Sequence, residues 1–469
     1  MSRPVNRPAF LLPLALAACA VGPDYEPAEP PTPSAWNSPL EARVSADRAE
    51  LARWWERFDD PVLASLIERA IAANHDVRLA AARIREARAA LGIEQGELLP
   101  EVGVDGGLAR GRSSENGWLP SDGESRNLRE AGYVASWEID LFGGRRRAVE
   151  AADADLAALV EERRAVLVAV LGDVAGAYVE LRGQQQLAAI GRRNAEAARA
   201  TLELTRARSD AGLATTLDVA RAESQLHTTE SYVPEAERAA RQAIHRLSLL
   251  LGSEPGALAA ELTATAPIPV PPSRIDAGLP AELMTRRPDV RRAEREAAAA
   301  VARVGVATAE LYPKFTLLGS WGAQSIDLAD LGKPASRVWE SALSLQLPLF
   351  AGGAIRAGIE AADARAEQSQ LALERTWIGA LREVEDALTA YAREWERRGM
   401  LEAGEKAGRD AVALADELHQ KGFAGFLDVL DAERNLYASQ RELARSETAV
   451  ATAAVALYRG LAGGWEVAP

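Results

Sequence analysis

The chain has 469 residues, 48% hydrophobic and 26% charged, enough apolar material for a large core and too much for a disordered chain. A formal net charge of −14 argues against DNA or RNA as a partner, because a phosphate-binding surface needs a local excess of Lys and Arg and no basic block stands out. Ala dominates the apolar residues while aromatics reach only 5%, a composition suited to long, closely packed helices.

Residues 1–18 read as a secretion signal: Arg3 and Arg7 precede an apolar run from Phe10 to Ala18 that is too short to span a bilayer as a helix. Leu16-Ala17-Ala18-Cys19 resembles a bacterial lipobox, in which the cysteine is acylated and becomes the first mature residue. Cys19 is therefore the candidate lipid (palmitate) attachment site, and this covalent lipid is the only non-protein group expected, with no cofactor. Ala20 follows it, and in resembling lipoproteins a non-acidic residue there directs sorting to the outer membrane. With a single Cys, intrachain disulfides are impossible. Residues 19–58, Pro-rich as far as Pro39, read as an extended tether. After residue 19 no run of 18 apolar residues occurs, so a bilayer can be crossed only by strands.

The rest of the chain is an internal duplication. Asp76-Val77-Arg78 recurs as Asp289-Val290-Arg291, and Glu97-Leu98-Leu99-Pro100 as Glu310-Leu311-Tyr312-Pro313, in both cases 213 residues later. Glu150-Ala151-Ala152-Asp153 recurs as Glu360-Ala361-Ala362-Asp363, and Leu217-Asp218-Val219 as Leu427-Asp428-Val429, both 210 residues later. Two structural repeats follow, 59–265 and 266–463, each read as helix, strand, strand, very long helix, helix, with a short tail at 464–469.

The strands are expected at about 101–111, 131–141, 314–323 and 338–348. Tyr133, Ala135, Trp137 and Ile139 alternate with Val134, Ser136, Glu138 and Asp140, and Trp339, Ser341, Leu343, Leu345 and Leu347 alternate with Glu340, Ala342, Ser344 and Gln346. One face is apolar and the other mostly polar, the pattern of membrane-barrel strands about ten residues long. Glu138, Asp140, Glu340 and Gln346 are the candidate lumen residues. Four strands cannot close a barrel, since the smallest use about eight, so the barrel must be shared between chains.

No Pro interrupts Gly144 to Gly212 or Gly353 to Lys421, and Leu373, Trp377, Leu381, Val384, Leu388, Tyr391 and Trp395 step by three and four along the second stretch. At about 1.5 Å per residue either stretch makes a rod on the order of 100 Å. Pro234 falls inside the following helix and predicts a kink or a break.

No chemistry of an enzyme is legible. The four His residues, at 75, 227, 245 and 419, have no metal-binding spacing, and there is neither a nucleophile elbow nor a Gly-rich phosphate cradle. Only three Met residues occur, too few for a thioether relay for soft metal ions.

Several motifs together resemble the TolC-type outer membrane factors, in particular the lipoprotein branch often called NodT-like. They are Cys19 with Val21-Gly22-Pro23-Asp24-Tyr25, then Trp137-Glu138-Ile139-Asp140-Leu141-Phe142-Gly143, Arg286-Arg287-Pro288-Asp289-Val290, and Pro348-Leu349-Phe350 with Gly352-Gly353. The resemblance implies a mainly α fold with a transmembrane β-barrel contribution: a homotrimer sharing one twelve-stranded barrel above a periplasmic α-helical tunnel. It implies a passive outer-membrane channel in a tripartite efflux system, working with a periplasmic adaptor and an inner-membrane pump of the resistance-nodulation-division type. A type I secretion duct, and a lipid-anchored coiled-coil scaffold without a pore, are the alternatives. Asp428-Val429-Leu430-Asp431 matches the motif whose carboxylates ring the periplasmic aperture in resembling proteins, which assigns Asp428 and Asp431 to a gate, with Asp218 as the counterpart in the first repeat. Acids in the first turn of a helix also stabilise its N-terminus, and that reading stays open for all three. Some resembling channels carry a basic latch just after the turn glycine, whereas Phe423, Ala424 and Gly425 follow Gly422 here.

Overall fold

The computed structural model describes residues 20–27, 30–38, 44–45, 51–116 and 123–467, so the signal segment and Cys19 lie outside the described residues. In chain order the elements are β1 (Val44–Ser45), α1 (Pro61–Ala73), α2 (His75–Gly96), β2 (Glu101–Arg112), β3 (Ser125–Ile139), α3 (Gly144–Asp210), α4 (Thr216–Leu250), α5 (Ala259–Leu262), β4 (Ile275–Asp276), α6 (Glu282–Arg286), α7 (Pro288–Ala309), β5 (Lys314–Ser325), β6 (Arg337–Gln346), α8 (Ala354–Gln420) and α9 (Phe426–Gly460). The protein is predominantly helical, and α3 and α8 are each 67 residues long, α4 and α9 each 35. Among the described residues no helix is long and apolar enough to cross a membrane.

The chain folds into two compact units, each drawing on both repeats. One unit takes Arg83–Val160 and Arg292–Glu374 with residues 20–27, and the other takes residues 30–38, 44–45, 51–82, 161–291 and 375–467. The physical reason is cross-pairing: β3 of the first half is hydrogen-bonded to β5 of the second, so neither half is a separate body.

In the first unit the four long strands form one antiparallel sheet in the order β2-β3-β5-β6. Several strand bounds differ from expectation. β3 begins at Ser125 rather than near 131, because it pairs with β2 as far as Arg112↔Ser125. It ends at Ile139, because the Asp140 carboxylate turns to accept the backbone N–H groups of Arg145 and Arg146 at the start of α3, 3.2 and 3.0 Å away. β6 stops at Gln346, two residues before Pro348, which has no N–H to donate to a ladder.

Residues 20–27, expected as free tether, are docked. Val21 N–H donates to the Phe142 carbonyl at 3.0 Å, and Arg147, whose side chain is only 6% exposed, reaches Asp24 at 2.6 Å and the carbonyls of Val21 and Gly22 at 3.3 and 3.4 Å. Tyr25 packs on Ala300, Val301, Val304, Ala362 and Ala366. Gly22 has φ +92°, and a Cβ there would lie 2.4 Å from the Gly305 Cα.

In the second unit the core gathers Trp54, Phe58, Leu63, Ile67, Leu171, Tyr178, Leu247, Trp377 and Tyr458, all nearly inaccessible to water. Trp54 stacks on Tyr458 with ring centroids 5.0 Å apart. Trp54, Trp55 and Phe58 form a short 3-10 helix inside this core, so the folded unit begins before residue 59. The Pro-rich stretch is pinned as well: Trp36 donates to the Gly278 carbonyl at 2.9 Å, and the N–H groups of Asn37 and Ser38 donate to Glu385 at 2.6 and 2.9 Å. The tail is not free either, since the Arg164 guanidinium lies 4.7 Å from the Trp465 ring. α4 runs on through Pro234, which excludes a break there.

The Arg286-Arg287-Pro288-Asp289 motif is structural. Arg287, 7% exposed, donates to Asp289 at 2.8 and 3.0 Å, to Glu383 of α8 at 2.7 Å and to the Gly460 carbonyl that closes α9 at 2.8 Å, while Pro288 opens α7, where no N–H partner is needed. Arg287→Ala orphans that carbonyl and both carboxylates; it should cost about 2 kcal/mol or more, read as a lower unfolding temperature in detergent, with Arg287→Lys recovering only part because it lacks the planar fork. Gly22→Ala should release residues 20–27 from their seat, seen as new protease cleavage there with the rest of the protein unchanged.

Candidate functional site

The sheet has two chemically opposite faces, fixed by register because directly opposite residues share a face. Val104, Tyr133, Trp321 and Trp339 form one cross-strand row, and Trp137, Leu317 and Leu343 another, continued by Ile139, Phe315 and Leu345. Most of these side chains are exposed, with Val104 73% and Trp339 75%, while Trp137, Ile139 and Phe315 at the foot of the sheet are half-buried and Trp137 donates to the Leu98 carbonyl at 3.0 Å. The opposite rows carry Glu101 with Ser136, Ser320 with Glu340, Glu138 with Thr316 and Ser344, and Lys314 with Gln346. A hollow on that face is lined by Glu101, Asp105, Ser136, Ser320 and Glu340, with Val134, Leu318 and Ala342 between them. Among the described residues the outer edges of β2 and β6 pair with no strand.

Of the four lumen candidates, three lie on the polar face. Glu340 faces the hollow, Gln346 ends β6 opposite Lys314, and Glu138 sits at the foot of β3, where it accepts from Arg145 at 3.1 Å. Asp140 is not on the sheet: its side chain is only 12% exposed and is committed to the N-terminus of α3 and to Arg146, 3.2 Å away. Alternation alone placed it one residue beyond the end of the strand.

The gate candidates sit beside the two hairpin turns of the second unit. α3 and α8 stop at glycines with φ +74° (Gly212) and +79° (Gly422), where the left-handed conformation favours glycine. The next N–H bonds back over the turn, Leu213 to the Arg208 carbonyl and Phe423 to Leu418, each at 2.8 Å. Asp218 forms a capping box: its carboxylate accepts from the Thr215 N–H at 3.0 Å and the Thr215 hydroxyl at 2.7 Å, and these bonds hold its carboxyl below the usual Asp range. Asp428 accepts the Gly425 N–H at 2.8 Å. Asp431 is exposed and paired with Arg434 at 2.6 Å. The capping role is thus present for Asp218, which is half-buried, and for Asp428, which is exposed.

Sequence reasoning missed the contacts that join the two hairpins next to these turns. Thr201 of α3 donates to Glu433 of α9 at 2.9 Å, and Arg208 of α3 lies 3.0 Å from His419 Nε2 of α8. His419 Nδ1 is 3.0 Å from the Ala424 carbonyl, so the ring bridges α3 and the turn before α9. A signal for Glu433 existed: it occupies an apolar stripe position, between Val429, Leu430, Leu436 and Tyr437. Cys19 lies outside the described residues, but Ala20, the first described residue, sits against Gly143 just past the foot of β3.

A family model described as outer membrane efflux protein matches residues 66–253 and 279–463. Nodulation protein T of Rhizobium leguminosarum bv. trifolii is 32% identical over 435 residues, 92% of each chain. The pyoverdine export outer membrane protein OpmQ of Pseudomonas putida is 34% identical over 469 residues, 97% of each. Among solved structures, the outer-membrane channel OprN matches with a TM-score of 0.90 at 34% identity, over 96% of this chain and 100% of that one. The Campylobacter jejuni CmeC outer membrane channel reaches the same TM-score at 22% identity, over 95% of each, and bears on the fold alone. The sheet, the long helices and these matches lead to one conclusion: the chain belongs to the outer membrane efflux protein family, a family of channels and not of enzymes.

Proposed function

We propose that this protein is the outer-membrane duct of a tripartite efflux system, a homotrimer in which each chain gives four strands to one twelve-stranded barrel and its helices to a periplasmic tunnel. The observation that carries it is the sheet. An exposed face bearing Trp321, Trp339, Leu343 and Leu345 is stable only against lipid, and the free edges of β2 and β6 cannot stay unpaired there, because every backbone group in hydrocarbon needs a partner. Further copies of the chain supply those partners and close the barrel around the polar face. The equal lengths of α3 and α8, and of α4 and α9, support a duplicated chain whose two halves build equivalent parts of the wall. A coiled-coil scaffold without a pore would leave the apolar face unused.

Cys19, one residue before the segment seated at the foot of β3, is the lipid anchor in this reading, and its acyl chains insert into the leaflet that the sheet enters. An adaptor engages the periplasmic end, and an inner-membrane pump of the resistance-nodulation-division type supplies the energy. Relatives named for pyoverdine export and for solvent efflux match this chain at similar identity, which supports a reading in which the pump, not the duct, chooses the cargo.

Asp428 and Asp431, repeated by the symmetry, form the acidic ring of the aperture, and Asp218 adds a weaker contribution from the first hairpin. Like charges crowded in a pore repel one another and favour cations. The purified protein should give discrete conductance steps in a planar bilayer from a particle of trimeric mass; a monomer that never conducts would remove the reading. Replacing Asp428 and Asp431 by Ala should raise single-channel conductance and lower cation selectivity, with Asp428→Ala also losing a helix-terminal bond worth about 1 kcal/mol. Arg434→Ala should increase cation selectivity, because it unmasks Asp431.

A further inference from the structure

Glu433 is buried at 6% exposure in the seam between the α3–α4 and α8–α9 hairpins, close to their turns. One carboxyl oxygen accepts the Thr201 hydroxyl across the seam, while the other, Oε2, is buried without any partner. A carboxylate needs a cation or several donors when removed from water, and among the described residues a single neutral hydroxyl faces Glu433. One turn further on, Tyr437 inserts among Ala195, Ala198 and Leu202 of α3 and Ala222 and Leu226 of α4, and its hydroxyl is also buried and unpartnered. The other titratable or charged groups along this seam are Asp416 and His419 on α8, Arg208 on α3 and Asp218 on α4. None supplies Glu433 with a counter-charge: Arg208 is bound to His419, and Asp416 repels it.

We propose that Glu433 is a proton-operated latch between the two hairpins: uncharged, it stays seated in the seam and holds them together, and once ionised it draws water into the seam and lets them part beside the turns. Burial pushes the Glu433 carboxyl up to about 7; the Thr201 hydrogen bond works the other way, and the Asp416 charge reinforces the rise. The sign follows from linkage. Below the ordinary Glu value of 4.5 both seated and released forms are neutral and seating carries no penalty. Between that value and about 7 the released form is ionised and the seated one is not, so release gains up to about tenfold per pH unit, levelling off above. The latch therefore closes in acid and loosens at neutral pH. As a regulator of the aperture it rests on the duct reading above; as a hinge between the hairpins it does not.

The test uses spin labels at Ala207→Cys on α3 and Asn435→Cys on α9, both exposed positions, in the full-length detergent-purified protein. Labelled chains are diluted so that each oligomer carries at most one. Double electron–electron resonance from pH 5 to 8 should show a longer-distance population growing with pH and levelling near neutrality. Glu433→Gln should abolish that growth with Asp428, Asp431 and Asp218 intact; the same growth in this variant assigns the dependence to other groups and overturns the proposal. Should Glu433→Gln fail to assemble, Thr201→Val decides: losing the bond that favours the ionised form moves the levelling point to higher pH, and an unmoved profile overturns the proposal. Conductance is recorded in parallel. A distance change with no conductance change retains the latch and sinks its role at the aperture, whereas a distance that never changes removes the latch whatever the channel does.

Discussion

Antiparallel pairing of β3 with β5, from Arg129↔Ser325 to Ile139↔Phe315, is the contact on which the rest of the sheet-bearing unit depends. It joins the two sequence halves into one sheet, and its register decides which side chains share a face. A slip of β5 by one residue would turn Phe315, Leu317 and Trp321 to the polar side and bring Thr316 and Ser320 to the apolar one. Because the pairing uses one edge of each strand pair, it leaves the outer edges of β2 and β6 without a strand partner among the described residues, the feature on which the proposed shared barrel rests.

The acids at the turns illustrate how one side chain serves two ends. Asp218 and Asp428 sit three residues past the residue that caps their helix, where a carboxylate satisfies an orphan backbone N–H and meets the positive end of the helix dipole. The bonds to Thr215 hold the Asp218 carboxyl below the usual Asp range, so the capping role is compatible with the gate proposed above. Asp431 differs: its partner is Arg434, a neutralising neighbour on the same helix face, and its contribution to a pore field depends on that arginine. Glu433 is the opposite case, a carboxyl given burial and one hydroxyl instead of donors, which is why it favours its neutral form.

The N-terminal segments follow another logic. Their proline content suggested an extended, solvent-borne tether, and extended they are, but their backbone groups are used. Val21 bonds to the Phe142 carbonyl, Asn37 and Ser38 give their N–H groups to Glu385, and Trp36 and Trp54 bury rings that no tether needs. Prolines leave fewer N–H groups to satisfy, and so suit a strap laid over a helix as well as a free chain. Composition could not separate the two.

The sequence by itself determined what periodicity and covalent chemistry can determine. Period-two alternation gave the four strands and their two faces, a proline-free apolar stripe gave the long helices, matched blocks gave the paired halves, and turn glycines gave their ends, because each signal is local to a few residues. It did not reveal that the compact units are built across the halves, that Asp140 leaves the strand for the N-terminus of α3, or that Arg287 locks the end of α9. Nor did it reveal that Glu433 lies buried against Thr201. Each of these depends on partners separated by several to more than two hundred positions, or on which of two competing hydrogen-bond partners a carboxylate takes. Such choices are made only when distant backbone segments are brought together.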